Sequence, residues 1–553
     1  MLGKPQRNNA AKQRVSGDEV WPAPIEGWDA STSLAQMDKK RAVQLVNWFP
    51  QPGYIEIRNG SEEWNSGIGA GLTEVTVTGD DGVGPTIFTP TPGPNPFVDD
   101  DIVVIYAEAD GGTQGNFFYV MNTDVNGAGT FQITQDAPNG PQTPFVVSTD
   151  LTGVTLAYKI GDWNSDFSTA VPAGSNVETL IPYEISDISS GPKLFAAGGG
   201  AIWDATGRGI VRPIKGGFTS SRWQYVNFAT PDPVNYVIAV NGADGVWAYD
   251  NITADWVALT ITESGVAPTS FNPDTFINIT AHKGRIWYVQ KDSPNAVYLD
   301  LAQAIQGDAT VFPLGPFFTK GGRLQEIISW TKDGGSGPDD FLVFLSSKGQ
   351  AAVYAGIDPG ATDATGFTLV GVFDVGEPIG ERCVTSYGAD PLLITTSGLL
   401  KLSLALGEGD TTLEATSHSA RIYRSITEVA KLNQGQFGWE CTQYPASNMI
   451  LLNVPFGGTS VQFVQNTLTS AWCQFRGWPA LTFAVFQDEL YFGDRNGRVL
   501  KADIGSSDDG LSIVATGETS YSNFGSVGQK KQFKLVQAMT IAEGLRRPSL
   551  GIS

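Results

Sequence analysis

Short apolar runs recur along most of this chain, each stopped by Gly, Pro, Asp or Asn. "KLFAA", "NYVIAV", "FINITA", "DFLVFL", "PLLITT" and "TFAVF" are each followed by a tight turn, in most cases carrying Gly, and then by a second strand. That second strand bears Trp203, Trp247, Trp287, Tyr354 or Tyr491; "ITTSGLLKLS" is a weaker member without an aromatic. A further apolar strand, "NMILLNV", leads to a turn ending at Trp472. The runs start near 193, 235, 277, 340, 391, 448 and 482, so they are spaced by 42, 42, 63, 51, 57 and 34 residues. A strand, a turn, an aromatic strand and a further strand every ~40–50 residues is the pattern of a β-propeller blade. The predicted fold is therefore all-β: a β-propeller-like body of about six to eight blades, whose large aromatics fill the wedges between blades. A second phrase, Asp/Asn-x-x-Thr-x-x-Trp, occurs as Asp250, Thr253, Trp256 and again as Asn466, Thr469, Trp472. It reads as a turn whose side-chain oxygen satisfies backbone N–H groups just before a blade strand.

The pattern divides the chain. Residues 1–30 form a polar, extended arm with Lys4, Arg7, Lys12 and Arg14 and no acid before Asp18. Segments 31–71 and 171–192 lead into the main body, and a short helix fits "TSLAQMDKKRAVQLV". Residues 72–170 contain short strands between Gly/Pro/Asp turns but no blade phrase, so they read as an inserted small all-β module. The β-propeller-like body is assigned to 193–510. Residues 511–553 form a C-terminal β segment for packing and ring assembly, with a basic start at Lys530, Lys531 and Lys534.

Composition sharpens this picture. Gly 65 and Pro 32 in 553 residues exceed their usual combined share of about 12%, as many turns require. Lys+Arg 35 against Asp+Glu 57 gives −22, which argues against gripping phosphate backbones. Cys383, Cys441 and Cys473 have neither the even number of a disulfide framework nor zinc-ligand spacing. The N-terminus lacks the apolar core of a signal peptide, and no apolar run reaches the ~18 residues of a membrane span. A soluble product of a reducing compartment is expected.

Catalytic chemistry has little to start from. There are two histidines, His282 and His418, and neither sits in a metal-ligand or catalytic spacing. His282 precedes a Gly turn and reads as a turn residue. No phosphate-binding Gly loop is present. "GGSGP" (Gly334–Pro338) falls short of a nucleophile elbow and lies in a polar loop. The acidic stretches "DGGSGPDD", "VDDDI" and "GDRNG" lack full calcium-loop spacing and read as solvated turns. Carboxylates are plentiful enough that a glycosidase pair stays open on counting alone. No catalytic residue, cofactor or metal is assigned.

Several phrases resemble a family of tail proteins of short-tailed (podovirus-type) bacteriophages and prophages. They are "LVNWFPQPGYIEIRNG", "VETLIPYE", "KLFAAGGGAIWD", "DDFLVFLSSKGQAAVYAGIDPGA", "GVFDVGEPIGERC", "NTLTSAWCQFRGW" and "YSNFGSVGQKKQFKLVQAMT". They span most of the chain in the family's order. The module at 72–170 departs from the family's simplest members, and the family pattern continues past "RRPSLGIS". The resemblance implies a structural virion protein: a tail hub or nozzle subunit that extends the DNA exit channel and supports fibres or a needle. It implies a homo-oligomer, expected as a hexameric ring, with a tail adaptor protein and tail fibre or needle proteins as partners. Genomic DNA would pass without specific binding. The location implied is the virion tail, after assembly in the bacterial host cytoplasm. The family supplies no catalytic residue to carry over. Two other readings stay open: a receptor-binding tail protein with the 72–170 module as its adhesive part, and a glycan-cleaving propeller tailspike.

Overall fold

The structure is a computed structural model. It describes residues 20–68, 73–79, 86–91, 101–106, 117–123, 129–134, 141–144, 151–162, 175–184, 191–211, 213–232, 234–250, 252–333, 338–361, 366–407 and 417–522, with Asn95, Phe97, Val98, Asp99 and Leu535 besides. The basic residues of both termini named above, Lys4, Arg7, Lys12, Arg14, Lys530, Lys531 and Lys534, lie outside the described residues.

Seven antiparallel sheets follow one another along the chain as the blades of a β-propeller. Their first strands are Val177–Tyr183, Gln224–Ala229, Phe276–His282, Leu324–Asp333, Val384–Tyr387, Glu440–Tyr444 and Thr482–Phe486. First strands of blades 2 and 3, 3 and 4, 5 and 6, and 6 and 7 pack together, the first strand of blade 4 meets the second strand of blade 5, and the first strand of blade 7 packs against that of blade 1, closing the circle. Each blade adds its later strands outward by hairpins, as in blade 2, where Asn235–Val240, Val246–Asp250 and Trp256–Leu259 follow in order. Blade 5 has three strands. Beyond it the helix Tyr423–Asn433 buries Ile426 and Ala430 against the third strand of blade 5 and the second strand of blade 6.

First strands begin at intervals of 47, 52, 48, 60, 56 and 42 residues, more even than the spacing read from the sequence. The reason is one of phase. The turn-then-aromatic phrase joins second and third strands in blades 1, 2 and 4, but first and second strands in blades 3 and 7. Its turns need backbone with positive φ. Gly349 in blade 4 (φ 76) could not carry a side chain, because a Cβ would lie 2.4 Å from the Gly376 carbonyl carbon. The blade 7 hairpin meets the same need with Gln487 and Asp488, at φ 50 and 61.

The aromatics sit where blades meet. Trp203, Trp256, Trp287, Tyr354, Trp472 and Tyr491 are buried, while Trp247 is half-buried under Phe218. Trp256 packs edge-on to Phe195 of blade 1, Trp287 to Phe344 of blade 4, and Trp203 shares a core with Ala484 and Tyr491 of blade 7. The Asp/Asn-x-x-Thr phrase forms the turn its chemistry requires. Asp250 Oδ1 accepts from the N–H groups of Ile252 and Thr253, both at 2.8 Å. Asn466 Oδ1 accepts from Leu468 and Thr469. Asp29 makes the same turn with Ser31 and Thr32.

Segments 42–66 and 499–519 interlock to close the propeller. Gly60–Ser66 pairs antiparallel with Val499–Ile504 as the fourth strand of blade 7. Ala42–Val46 pairs parallel with Trp472–Phe475 and antiparallel with Thr516–Thr519, widening blade 6. The helix expected over "TSLAQMDKKRAVQLV" is thus replaced at its C-terminal end by a strand. Ala42, Leu45 and Val46 are buried in both senses of the pattern, and the two waiting sheet edges decide between them. The sheets also reach beyond 193–510, because blade 1 begins at Val177 and residues 42–66 belong to blades 6 and 7.

Arg58 fastens this closure. Its guanidinium grips Asp508 with two hydrogen bonds of 2.8 and 2.6 Å and donates to the Asn47 side chain and the Arg476 carbonyl. It lies 4.8 Å from the Trp478 ring centroid, and Trp478 Nε1 donates to the same Asp508.

Between Ile68 and Ser175 the chain makes an excursion whose two ends meet, Ser175 N donating to Ile68 O at 3.0 Å. Its described strands form their own six-stranded sheet, which pairs with no blade. Phe88, Phe97, Phe118 and Phe131 supply a separate buried core there.

Candidate functional site: the axial end of the propeller

The first strands all start at the same end of the axis, so residues at their beginnings converge there. Blade 1 brings Glu178 and Thr179, blade 2 Trp223 and Tyr225, blade 3 Asn278, blade 4 Gln325 and Glu326, blade 6 Glu440 and blade 7 Thr482. Into this circle runs the connection from blade 4 to blade 5, which carries Arg382 just before the Val384–Tyr387 strand. A bridge to Glu440 and a hydrogen bond from the Gln325 side chain to Gly380 O at 2.8 Å hold the connection.

Arg382 reaches four blades. Nη1 donates to Thr482 Oγ1 at 2.9 Å, and Nη2 donates to Thr179 Oγ1 at 2.7 Å, Glu178 O at 2.9 Å and Trp223 O at 3.3 Å. Its ion partner is Glu440, 3.6 Å away, whose Oε2 also accepts from Phe483 N. The Phe437 ring is flanked by two guanidiniums, with Arg222 at 4.3 Å and Arg382 at 5.3 Å. Arg222 in turn pairs with Glu178 at 3.2 Å.

Burial governs the acids here. It lifts Glu440 above the ordinary carboxylate range despite the opposing pull of Arg382. It pushes Glu326 up to about 8, against hydrogen bonds from Asn278 and the Ile327 backbone that favour the charged form. The Tyr225 hydroxyl and the Cys383 thiol are raised by burial too, and Glu326 adds to the effect on Cys383. Glu326 thus holds its proton to higher pH than an ordinary carboxyl, and the ion pairs at this end are Arg382 with Glu440 and Arg222 with Glu178. The arrangement braces blades: both terminal nitrogens of the guanidinium are engaged by protein acceptors.

The histidines lie elsewhere. His282 ends the first strand of blade 3, buried, with Nδ1 2.8 Å from Ser329 Oγ of blade 4. Burial first, then Lys283, lowers its pKa to about 4. His418 pairs through Nε2 with Gln465 at 2.6 Å and is held below its ordinary value by burial and Lys401. The three cysteines are buried and free. Among the described residues no three His, Cys, Asp or Glu side chains gather as a metal site would require. Asp494 of "GDRNG" is engaged by Arg498 at 2.8 Å and by the N–H groups of Asn496 and Arg498. No helix among the described residues is long and apolar enough to cross a membrane.

Sequence reasoning did not single out Arg382, Glu326 or Glu440. The available signal was an isolated Arg in "GVFDVGEPIGERC", a connection rich in Gly and free of the blade phrase.

No protein-family model and no curated protein matches the chain. Solved structures similar to it include the extracellular domain of BT4673 from B. thetaiotaomicron, at 12% identity and a TM-score of 0.36, over 84% of this chain. The chain spans 56% of the length of that domain. The Cps50 (Swd1) β-propeller domain of Myceliophteria thermophila aligns at 10% identity and a TM-score of 0.37, over 60% of this chain and 97% of its own. BBS1N, crystallised with ARL6DN, aligns at 13% identity and a TM-score of 0.27, over 56% and 93%.

Proposed function

We propose that this chain is a structural subunit of a bacteriophage tail, a hub or nozzle component that assembles as a ring around the path of the exiting DNA. The observation that carries the reading is the series of tail-protein phrases from "LVNWFPQPGYIEIRNG" to "YSNFGSVGQKKQFKLVQAMT", in the family's order along the chain. The axial end adds a constraint on how such a subunit works. Because Arg382 bonds to four blades across the axis, this reading puts the DNA path outside the propeller bore. The conduit lies between subunits, and each propeller is a braced wall element. A net charge of −22 favours passage over capture, since acidic walls repel the phosphate backbone. The polar arm with Lys4, Arg7, Lys12 and Arg14, and the segment starting at Lys530, Lys531 and Lys534, then supply cations for a neighbour's acids. No cofactor and no catalysis enter this reading.

The test is to label tails with an antibody against this chain in electron micrographs, and then to place the chain in a virion map. A ring at the tail axis with an acidic lumen is expected. A monomeric fibre tip, or a lumen lined by Lys and Arg, refutes the conduit role. A second reading is receptor binding by the excursion between Ile68 and Ser175, which has its own sheet and core on adjacent ends. Loss of host adsorption with intact tails, on removing that excursion, distinguishes it.

A further inference from the structure

On the flank of blade 6 a cleft of about 540 Å³ opens to solvent between Ile25 and Glu26, the hairpin tip at Gln51–Gly53, and Thr469. Two arginines line it, and they differ. Arg41 is neutralised, pairing with Glu26 at 3.0 Å and Asp29 at 2.8 Å. Arg421 donates from Nη1 to the Glu26 carbonyl at 3.1 Å, and among the described residues no carboxylate pairs with it. Thr469 Oγ1 accepts from Ala471 N, which leaves its hydroxyl proton to give. Two large side chains that are neighbours in sequence of the cleft residues stand in solvent: Leu468, adjacent to Thr469, is 65% exposed, and Tyr54, adjacent to Gly53, is 53% exposed.

We infer that this cleft docks a segment of another protein that presents one carboxylate beside an apolar side chain. The carboxylate would form the fork-to-fork pair that Arg421 lacks among the described residues. A monoanion fits better than a phosphate, because Glu26 lines the same cleft and opposes a second negative charge. A protein segment fits better than a free acid, because Leu468 and Tyr54, adjacent in sequence to the cleft residues Thr469 and Gly53, are exposed and gain from apolar cover.

The experiment titrates the full chain with two capped tripeptides, acetyl-Leu-Glu-Leu-amide and acetyl-Leu-Gln-Leu-amide, followed by amide NMR shifts. The Glu peptide should bind saturably and shift residues 51, 53, 54, 421 and 468–469, with affinity falling as salt rises. The Gln peptide should bind at least about tenfold more weakly, the loss expected for removing a charge-assisted pair. Arg421→Gln should abolish that preference and Arg421→Lys should keep part of it, both with unchanged thermal unfolding. A phosphoserine peptide should bind no better than the Glu peptide. Equal binding of the two tripeptides, an unaffected Arg421→Gln variant, shifts confined to other surfaces, tighter phosphoserine binding, or no binding at all would each overturn the inference.

Discussion

Replacing Arg58 by Ala should open the propeller at its closure. The side chain is fully buried, and its partner Asp508 is 13% exposed. The guanidinium joins the segment ending at Asn59 to residues 476–478 and 508, more than four hundred positions away in sequence. Its loss leaves Asp508 with the Trp478 indole as its remaining described donor and leaves an empty space beside that ring. Removing one partner of a buried pair costs about 3–5 kcal/mol, because a charge is left uncompensated. Lost packing over Trp478 adds to this. Asp508→Asn keeps the shape and should cost less. In the double variant Arg58→Ala/Asp508→Ala no buried charge is orphaned, so the two losses should fall short of additive by 1 kcal/mol or more, on the order found for contacting residues. Urea unfolding supplies the free energies, and amide hydrogen exchange shows where the chain loosens. Faster exchange should be confined to 42–66 and 507–519, with blades 2–4 unchanged. A loss below about 1 kcal/mol, strict additivity, or exchange rising evenly over all blades would refute the view that this residue closes the circle.

Three further outcomes are expected. Glu326 has a folded pKa of about 8 against an ordinary 4.5; the folded state therefore holds more protons between those values, stability falls as pH rises through that window, and Glu326→Gln should remove the fall, as urea midpoints from pH 5 to 9 would show. His282 behaves in the opposite direction: with a folded pKa of about 4 against 6.5, the unfolded chain binds its proton first, stability is lost as pH drops from 6.5 to 4, and His282→Asn should flatten that limb in the same assay. Joining Ile68 to Ser175 through a short Gly/Ser linker should leave the seven blades folded, because the two residues are already hydrogen-bonded; circular dichroism showing an unfolded chain would contradict this.

The repeat itself was legible because a blade needs local things: an apolar strand, a turn that tolerates positive φ, and an aromatic for the wedge. Those appear as "KLFAAGGGAIW" or "NYVIAVNGADGVW" in one short window. The turn chemistry of Asp250 and Asn466 was legible for the same reason, since a side chain two or three positions away is its own partner. Phase was not legible. A hairpin of first and second strands in blade 3 looks like one of second and third strands in blade 1 until the sheets are assembled. The strand Ala42–Val46 was not legible either, because its edges come from residues 472–475 and 516–519. Arg382 and Glu326 were hidden by the same remoteness: an arginine among Gly and Pro carries no mark of the four other blades it will meet.

The placement of charge gives the final step. A chain of −22 has little use for buried cations unless they hold something. Arg58 and Arg382 stand at the two places where a circular fold is weakest: the seam where segments 42–66 and 499–519 meet, and the axis where seven first strands converge. Each uses the planar, many-donor geometry of guanidinium to bind carbonyls and hydroxyls as well as a carboxylate, which a lysine could not match. At the axis Arg382 pairs with Glu440 and Arg222 with Glu178, while burial holds the Glu326 carboxyl well above the ordinary range. Ionising Glu326 adds an uncompensated charge beside Cys383, at the end of the connection that places Arg382. Arg382→Ala removes the donors that tie this connection to Thr179, Trp223 and Thr482, so it should loosen the blade 4 to blade 5 connection, read as faster amide exchange over residues 379–387. If exchange there is unchanged, Arg382 is no brace and the axial end is only a packed core.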